Sequence, residues 1–222
     1  MGPSPAAFFG GLGRPRSYLG WGVVFADFDN DEWSAILIVN GHLTPKVDAE
    51  AGDSPFRQRK LLYRNLPNGR FEEISARSGP GLSELHSSRG AAVGDLFNDG
   101  RLSVAVNELD ETPSLLVPKH ATQNHWLGIR TIGAPSNQDG IGAVVTARSG
   151  DPLKMDEVRS GGSYLSQSGL RIHFGLGTLN KVDELTVRWP RGRVDHWRNI
   201  PADQQIVVCE GVPEWSVSKK HA

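Results

Sequence analysis

Three carboxylates stand at alternate positions in the run Asp27-Phe28-Asp29-Asn30-Asp31-Glu32-Trp33-Ser34-Ala35. Oxygens from positions 1, 3 and 5 of a tight loop converge on one point. Hard cations such as Ca²⁺ collect such oxygens, often with the backbone carbonyl of position 7, here Trp33. The flanks are strand-like and no Glu occupies position 12, which argues against an EF-hand. Glu32 stands where Gly would ease the turn, and Ala35 where a further carboxylate is expected. A second loop, Asp95-Leu96-Phe97-Asn98-Asp99-Gly100, keeps the Gly but puts Phe97 in place of the central carboxylate. Asp95 and Asp99 therefore make a weaker second candidate site. The competing reading is a pair of solvated acidic turns whose Asp side chains cap their own backbone. With three carboxylates at most, the sequence predicts modest affinity and a structural role for the metal.

Other chemistry is sparse. Arg159, Tyr164, Gln167 and His173 are the polar residues that could form a ligand surface, against the alternative that Tyr164 packs and Arg159 pairs locally. No GxGxxG, GxxxxGK[ST] or GxSxG motif occurs. His120 and His125 have a spacing that suits neither a zinc helix nor one face of a strand. The acidic pairs Asp110-Glu111 and Asp156-Glu157 are adjacent, so on a strand they would point to opposite faces, which counts against a glycosidase-type pair. The single cysteine, Cys209, reads as a packed thiol in Ile206-Val207-Val208-Cys209.

The elements that must hold these loops follow from an internal repeat. Gly22-Val23-Val24-Phe25-Ala26-Asp27-Phe28-Asp29-Asn30-Asp31 aligns with Gly90-Ala91-Ala92-Val93-Gly94-Asp95-Leu96-Phe97-Asn98-Asp99 at an offset of 68 residues. Each copy continues into a strand-like run, Ile36–Asn40 and Val104–Asn107. Leu61-Leu62-Tyr63 matches Leu115-Leu116-Val117 at an offset of 54, which places a 14-residue insertion within Gly41–Lys60, read as a polar surface loop. Asn68-Gly69 between strand-like runs predicts a hairpin. Four short strands per unit suit a propeller repeat. After Asn124, strand candidates recur at Trp126–Arg130, Ala143–Ala147, Arg171–Phe174, Leu185–Trp189 and Gln205–Cys209, with a turn at Pro190–Arg193 leading into another. Such a run suits a compact β-sandwich. Gly 26 and Pro 14 in 222 residues fit an all-β chain of many turns, and no segment carries a sustained helical period. Lys+Arg 24 against Asp+Glu 25 leaves a net charge of −1, so no bulk field draws the chain to nucleic acid. The longest apolar run, Ala35–Val39, is too short to cross a bilayer, and Met1–Gly13 lacks the basic and apolar regions of a signal peptide.

The acidic loops between strand runs (Gly22–Asn40 with Gly41-His42, and Arg89–Asn107) resemble FG-GAP/VCBS repeats of β-propellers. Asn124-His125-Trp126-Leu127, Ser136–Ala143, Glu157–Gln167, His173-Phe174-Gly175-Leu176-Gly177 and Val187-Arg188-Trp189-Pro190 resemble an ASPIC/UnbV domain. Together these resemble the C-terminal part of the cartilage acidic protein-like family. The resemblance implies calcium held by Asp27, Asp29 and Asp31, an extracellular or periplasmic setting, a role in adhesion or protein interaction, and no catalysis.

The expected organisation is an N-terminal segment (1–19), two propeller repeats forming a partial ring (20–120), a small β-sandwich-like domain (121–212) and a tail (213–222). The function expected is a non-enzymatic binding module with structural Ca²⁺. The alternative is a glycan-binding or glycan-active β-protein. Partners expected are a protein or glycan ligand, with pairing through open propeller edges or with missing upstream blades. Neither nucleic acid nor a transmembrane segment is expected.

Overall fold

The computed structural model describes residues 18–49, 54–119, 122–151 and 153–218. The Met1–Gly13 stretch, His120 and the last four residues of the tail lie outside them. The regular structure of the described residues is nearly all β-strand, joined by turns and a few short helical segments.

Strands β1 (Gly20–Ala26), β2 (Ala35–Asn40), β3 (Leu61–Asn65) and β4 (Phe71–Glu73) form a four-stranded antiparallel meander. Strands β5 (Ser88–Gly94), β6 (Ser103–Glu108) and β7 (Ser114–Leu116) form a second. The repeat is carried into the hydrogen-bond register. Val23↔Ile38, Val24↔Leu37, Phe25↔Ile36 and Ala26↔Ala35 in the first sheet become Ala91↔Val106, Ala92↔Ala105, Val93↔Val104 and Gly94↔Ser103 in the second. Even the irregularity recurs, after Gly20 in one and after Ser88 in the other.

Two expectations need correction. Ile36 pairs with Tyr63 while Val104 pairs with Leu116, so the third strands are offset by 53 and not 54. Matching Leu-Leu to Leu-Leu favoured the wrong register, and a one-residue slip exchanges the faces of a strand. The second sheet also has three strands among the described residues where four were expected. The Asn68-Gly69 hairpin forms as read, with Gly69 at φ 75° and the Leu66 amide bonded to the Arg70 carbonyl at 2.8 Å.

The insertion Gly41–Lys60 is not wholly a surface loop. Its end turns inward, and Lys60 and Glu108 are both fully buried as an ion pair at 2.9 Å that ties the two sheets together. Between the sheets, Val24, Ala26, Leu37 and Val39 pack on Ala91, Val104 and Val106. The approach is close: a side chain at Gly22 would lie 2.8 Å from the Ala91 amide nitrogen.

The C-terminal unit is two four-stranded sheets around one core. One sheet holds β8 (His125–Ile132), β13 (Ile172–Gly177), β16 (Gln204–Cys209) and β17 (Ser216–Val217) in the order β13-β8-β16-β17. The other holds β9 (Val144–Arg148), β10 (Leu153–Glu157), β14 (Lys181–Arg188) and β15 (Val194–Pro201) in the order β10-β9-β14-β15. Leu127, Ile129, Phe174 and Ile206 from the first meet Val145, Leu185, Trp189 and Trp197 from the second. A small hairpin, β11 (Gly162–Ser163) with β12 (Ser166–Gln167), stands apart from both sheets. Strand pairing continues into the segment after residue 212, because β17 pairs with β16.

Candidate functional site

The two acidic loops fold alike. In the first, Asp27 accepts the amides of Asp31 at 3.1 Å and Glu32 at 2.9 Å, and Asp31 accepts the amide of Trp33 at 2.9 Å. In the second, Asp95 accepts the amides of Asp99 at 3.1 Å and Gly100 at 3.0 Å, and Asp99 accepts that of Arg101 at 3.1 Å. The Asp side chains thus close their own loops. Asn30 and Asn98 share a left-handed backbone, φ 56° and 53°. Glu32 and Gly100 share a second, both at φ 81°. The sequence predicted a glycine-favouring position at Glu32, and the backbone there is indeed one.

The loops differ in electrostatics. Asp27, Asp29 and Asp31 each bring one oxygen within 4.8 Å of the others. Arg64 on β3 lies 2.9 Å from Asp31 and 3.6 Å from Asp29. Burial pushes the Asp27 carboxyl up to about 7, and the Asp31 charge adds to the rise. Burial, then Asp31, also raises Asp29 against the pull of Arg64. One arginine therefore leaves the three carboxylates short of positive charge. In the second loop Arg101 pairs with Asp99, and Asp95 receives the Gln205 side-chain amide at 2.8 Å. That loop has two carboxylates and a protein partner for each. Trp33, expected to lend its carbonyl, is 42% exposed and donates its amide to Asp31.

Neither loop lies free in solvent. Both are seated on the outer face of the sheet β13-β8-β16-β17. His173 Nε2 meets Asn30 Oδ1 at 2.7 Å, the Gly177 amide donates to the Asn30 carbonyl at 2.9 Å, and Asn124 Nδ2 donates to the Asp29 carbonyl at 2.9 Å. Arg171 donates to the Asp95 carbonyl at 2.7 Å and also reaches Asn98. Lys154 lies 3.5 Å from Glu32. Glycines make the fit possible. A side chain at Gly175 would come within 2.0 Å of Asp27 Oδ2, and one at Gly100 within 2.1 Å of the Trp126 ring. His173 stacks on Trp126 with ring centroids 5.9 Å apart, and burial holds the imidazole down at about 4.

The four residues read as a ligand surface are thus split. His173 belongs to this buried seam. Arg159 pairs with Asp156, Gln167 closes its own hairpin through the Gly161 amide, and Tyr164 packs on Trp21 with centroids 4.9 Å apart. Arg159, Gln167 and His173 do border one feature, a cleft of about 710 Å³ between the repeat sheets and the C-terminal unit. Tyr164 does not line it. Sequence reasoning missed the serines of the hairpin. Ser163 Oγ accepts the Val23 amide at 3.0 Å, and Ser168 Oγ accepts the Val93 amide at 3.2 Å. They cover backbone donors on the edges of β1 and β5 that the sequence left open. Gly161 and Gly162 of the run Ser160-Gly161-Gly162-Ser163 take positive φ, 86° and 112°, which turns the chain into this hairpin.

Residues 133–214 match the family model described as ASPIC and UnbV. No curated protein matches the chain. The matched stretch contains His173, Gly175 and Gln205 of the seam. Both acidic loops and Trp126 lie before it.

Proposed function

We propose that the chain is a non-enzymatic binding module in which two propeller-type repeats are clamped to a sandwich unit and the first acidic loop holds a structural Ca²⁺. The single observation that carries this reading is the carboxylate triad Asp27, Asp29 and Asp31, drawn within 4.8 Å and only partly neutralised by Arg64. That oxygen-only set fits a hard cation. Asp27, Asp29 and Asp31 would hold the ion, and its charge would favour the ionised form of all three.

The propeller reading is supported by the shared register at an offset of 68 and by the stacking of one repeat sheet on the next. Absence of a nucleophile or phosphate-loop motif favours binding over catalysis. The extracytoplasmic, adhesion-type role rests on the resemblance to FG-GAP/VCBS proteins.

Terbium luminescence tests the metal. Trp33 is exposed and bonded to Asp31, so it stands close enough to sensitise a bound lanthanide. The expected result is a saturable signal, displaced by Ca²⁺ and lost in Asp29→Asn. A signal absent in the parent, or unchanged in Asp29→Asn, would refute the site.

A further inference from the structure

We infer that the cleft between the repeat sheets and the C-terminal unit binds an extended, basic peptide, held along the free edge of β1 at Phe25. This rests on the reading of the chain as a binding module and gives that module a site. It uses none of the triad carboxylates, so it stands apart from the metal.

The two repeats differ at this edge. Strands β1 and β5 are each the first of their sheet and pair on one side alone. In β5 the Val93 amide donates to Ser168 Oγ at 3.2 Å, and the Val93 carbonyl accepts the Gly169 amide at 2.9 Å. Both groups therefore point out of the sheet, and the C-terminal unit covers both. Phe25 is the equivalent residue 68 positions earlier, pairing with Ile36 as Val93 pairs with Val104. Alternate residues of an antiparallel strand turn their amide and carbonyl to the same side. The Val23 amide is turned out to Ser163 Oγ, so the amide and carbonyl of Phe25 point out as well. No described residue bonds either of them. The segment 163–169 thus caps Val23 and Val93 and leaves Phe25 open. A donor and an acceptor on one residue of a free edge are what an added strand pairs with.

The cleft beside that edge has the size and chemistry for such an occupant. Its volume of about 710 Å³ falls within the roughly 300–1,000 Å³ of ligand sites. Phe25, Met155 and Glu157 all line it. Phe25 is 65% exposed and Met155 70%. Met155 and Glu157 share one face of β10, itself an edge strand of its sheet. The cations nearby are already engaged: Lys154 pairs with Glu32, and Arg159 with Asp156. Glu157 has no cation partner among the described residues. An unpaired carboxylate beside two exposed apolar side chains suits a segment that carries Lys or Arg among apolar residues. The open amide and carbonyl of Phe25 select a peptide over a sugar, because another strand presents its own amide and carbonyl at the matching spacing.

Amide hydrogen exchange and peptide titration test the inference on the full chain. All arms run in chelator, so a failed calcium site and a failed peptide site give separate results. In the free chain the Phe25 amide is expected to exchange at least about tenfold faster than that of Val93. The probes are short acetylated peptides that alternate Val with Lys, Ser or Glu. The Lys series is expected to bind and to slow exchange at Phe25 at least about tenfold, leaving Val93 unchanged. Phe25→Pro removes the outward N–H without removing a ladder bond, a change that edge strands accept. It should bind the Lys peptide at least about tenfold more weakly than Phe25→Leu, which keeps the N–H. Glu157→Gln should erase the preference for Lys over Ser. If Phe25→Pro does not fold, exchange at Phe25 and the Glu157→Gln variant decide. Equal exchange at Phe25 and Val93 would overturn the inference, as would failure of every peptide series to bind or equal binding of the Glu series. Equal affinities of Phe25→Pro and Phe25→Leu would also overturn it. So would exchange at Phe25 that quickens when residues 1–17 are removed, since the chain itself would then occupy the edge.

Discussion

Gly175→Ala probes the seam between the acidic loop and the sandwich at its tightest point. The added methyl would sit 2.0 Å from Asp27 Oδ2 and 2.7 Å from Asn30 Cα. Both distances are far inside van der Waals contact, and the nearer neighbour is held by two backbone amides. The loop must therefore retreat from β13 by more than 1 Å, by the scale of ordinary carbon contacts. Overpacking alone costs about 1–3 kcal/mol. Retreat also strains three hydrogen bonds across the seam, Gly177 to Asn30, His173 to Asn30 and Asn124 to Asp29, each worth about 0.5–1.5 kcal/mol. A loss of about 3 kcal/mol or more is expected, which for a chain of this size is a drop in Tm of roughly 6–12 °C. Gly94→Ala is the control. It lies on β5 beside the same cleft, yet its nearest neighbour would be 4.0 Å away, and its effect should stay within about 0.5 kcal/mol. Differential scanning calorimetry of the two variants decides the matter. If Gly175→Ala melts with the parent, the loop is not seated on the sheet and the seam argument fails.

Three further outcomes follow from single interactions. Glu32→Gly should stabilise the fold by about 0.5–1 kcal/mol by removing a left-handed glutamate, more than offsetting the loose Lys154 pair; equilibrium urea unfolding measures it, and a clear loss would refute the strain. Lys60→Met should cost about 3–5 kcal/mol because it leaves the buried Glu108 charge with no counter-ion and only the Ser114 hydroxyl as donor, whereas Lys60→Met with Glu108→Leu should return close to the parent in the same assay. A double variant as weak as the single one would contradict that account. The third outcome is a pH dependence. Asp27 titrates near 7 when folded against an ordinary 3.8, so its contribution to stability is complete below about 3.8 and disappears as pH rises through 7. His173 works oppositely, its contribution being present above 6.5 and lost as pH falls through about 4. Asp27→Asn should therefore steepen the rise in stability between pH 4 and 7, seen in melts in chelator across that range. An unchanged slope would rule out the raised carboxyl.

Much of the architecture was legible because it is written locally. The repeat was visible in Asp27 and Asp95 with their flanking runs, and the hydrogen-bond register repeats it pair for pair. The strands around Trp126, Val145, Phe174, Val187 and Val207 were readable from short β-branched runs between turns. What failed had no local signature. Leu61-Leu62 and Leu115-Leu116 look equivalent, yet the pleat sets the third strands one residue apart, and only pairing with β2 and β6 fixes that. Lys60 reads as the end of a polar loop, and its burial depends on Glu108, 48 residues away. The carboxylate triad was legible as a cluster from spacing alone. Its seat on Gly175, His173 and Asn124 was not, because those residues approach from more than 90 residues further along the chain and carry the seam through small size and single hydrogen bonds. The serines of the β11–β12 hairpin were missed for the same reason.

The claim that unites the loop, the seam and the proposed role is that three gathered carboxylates hold one cation in the folded chain. Its most direct measurement is a pair of thermal melts at pH 7.5, one in excess Ca²⁺ and one in chelator. A ligand that binds only the native state raises Tm in proportion to the logarithm of its concentration. The expected result is a Tm that climbs with Ca²⁺ in the parent chain and stays flat in Asp29→Asn. Superimposed melts of the parent in calcium and in chelator would contradict the account.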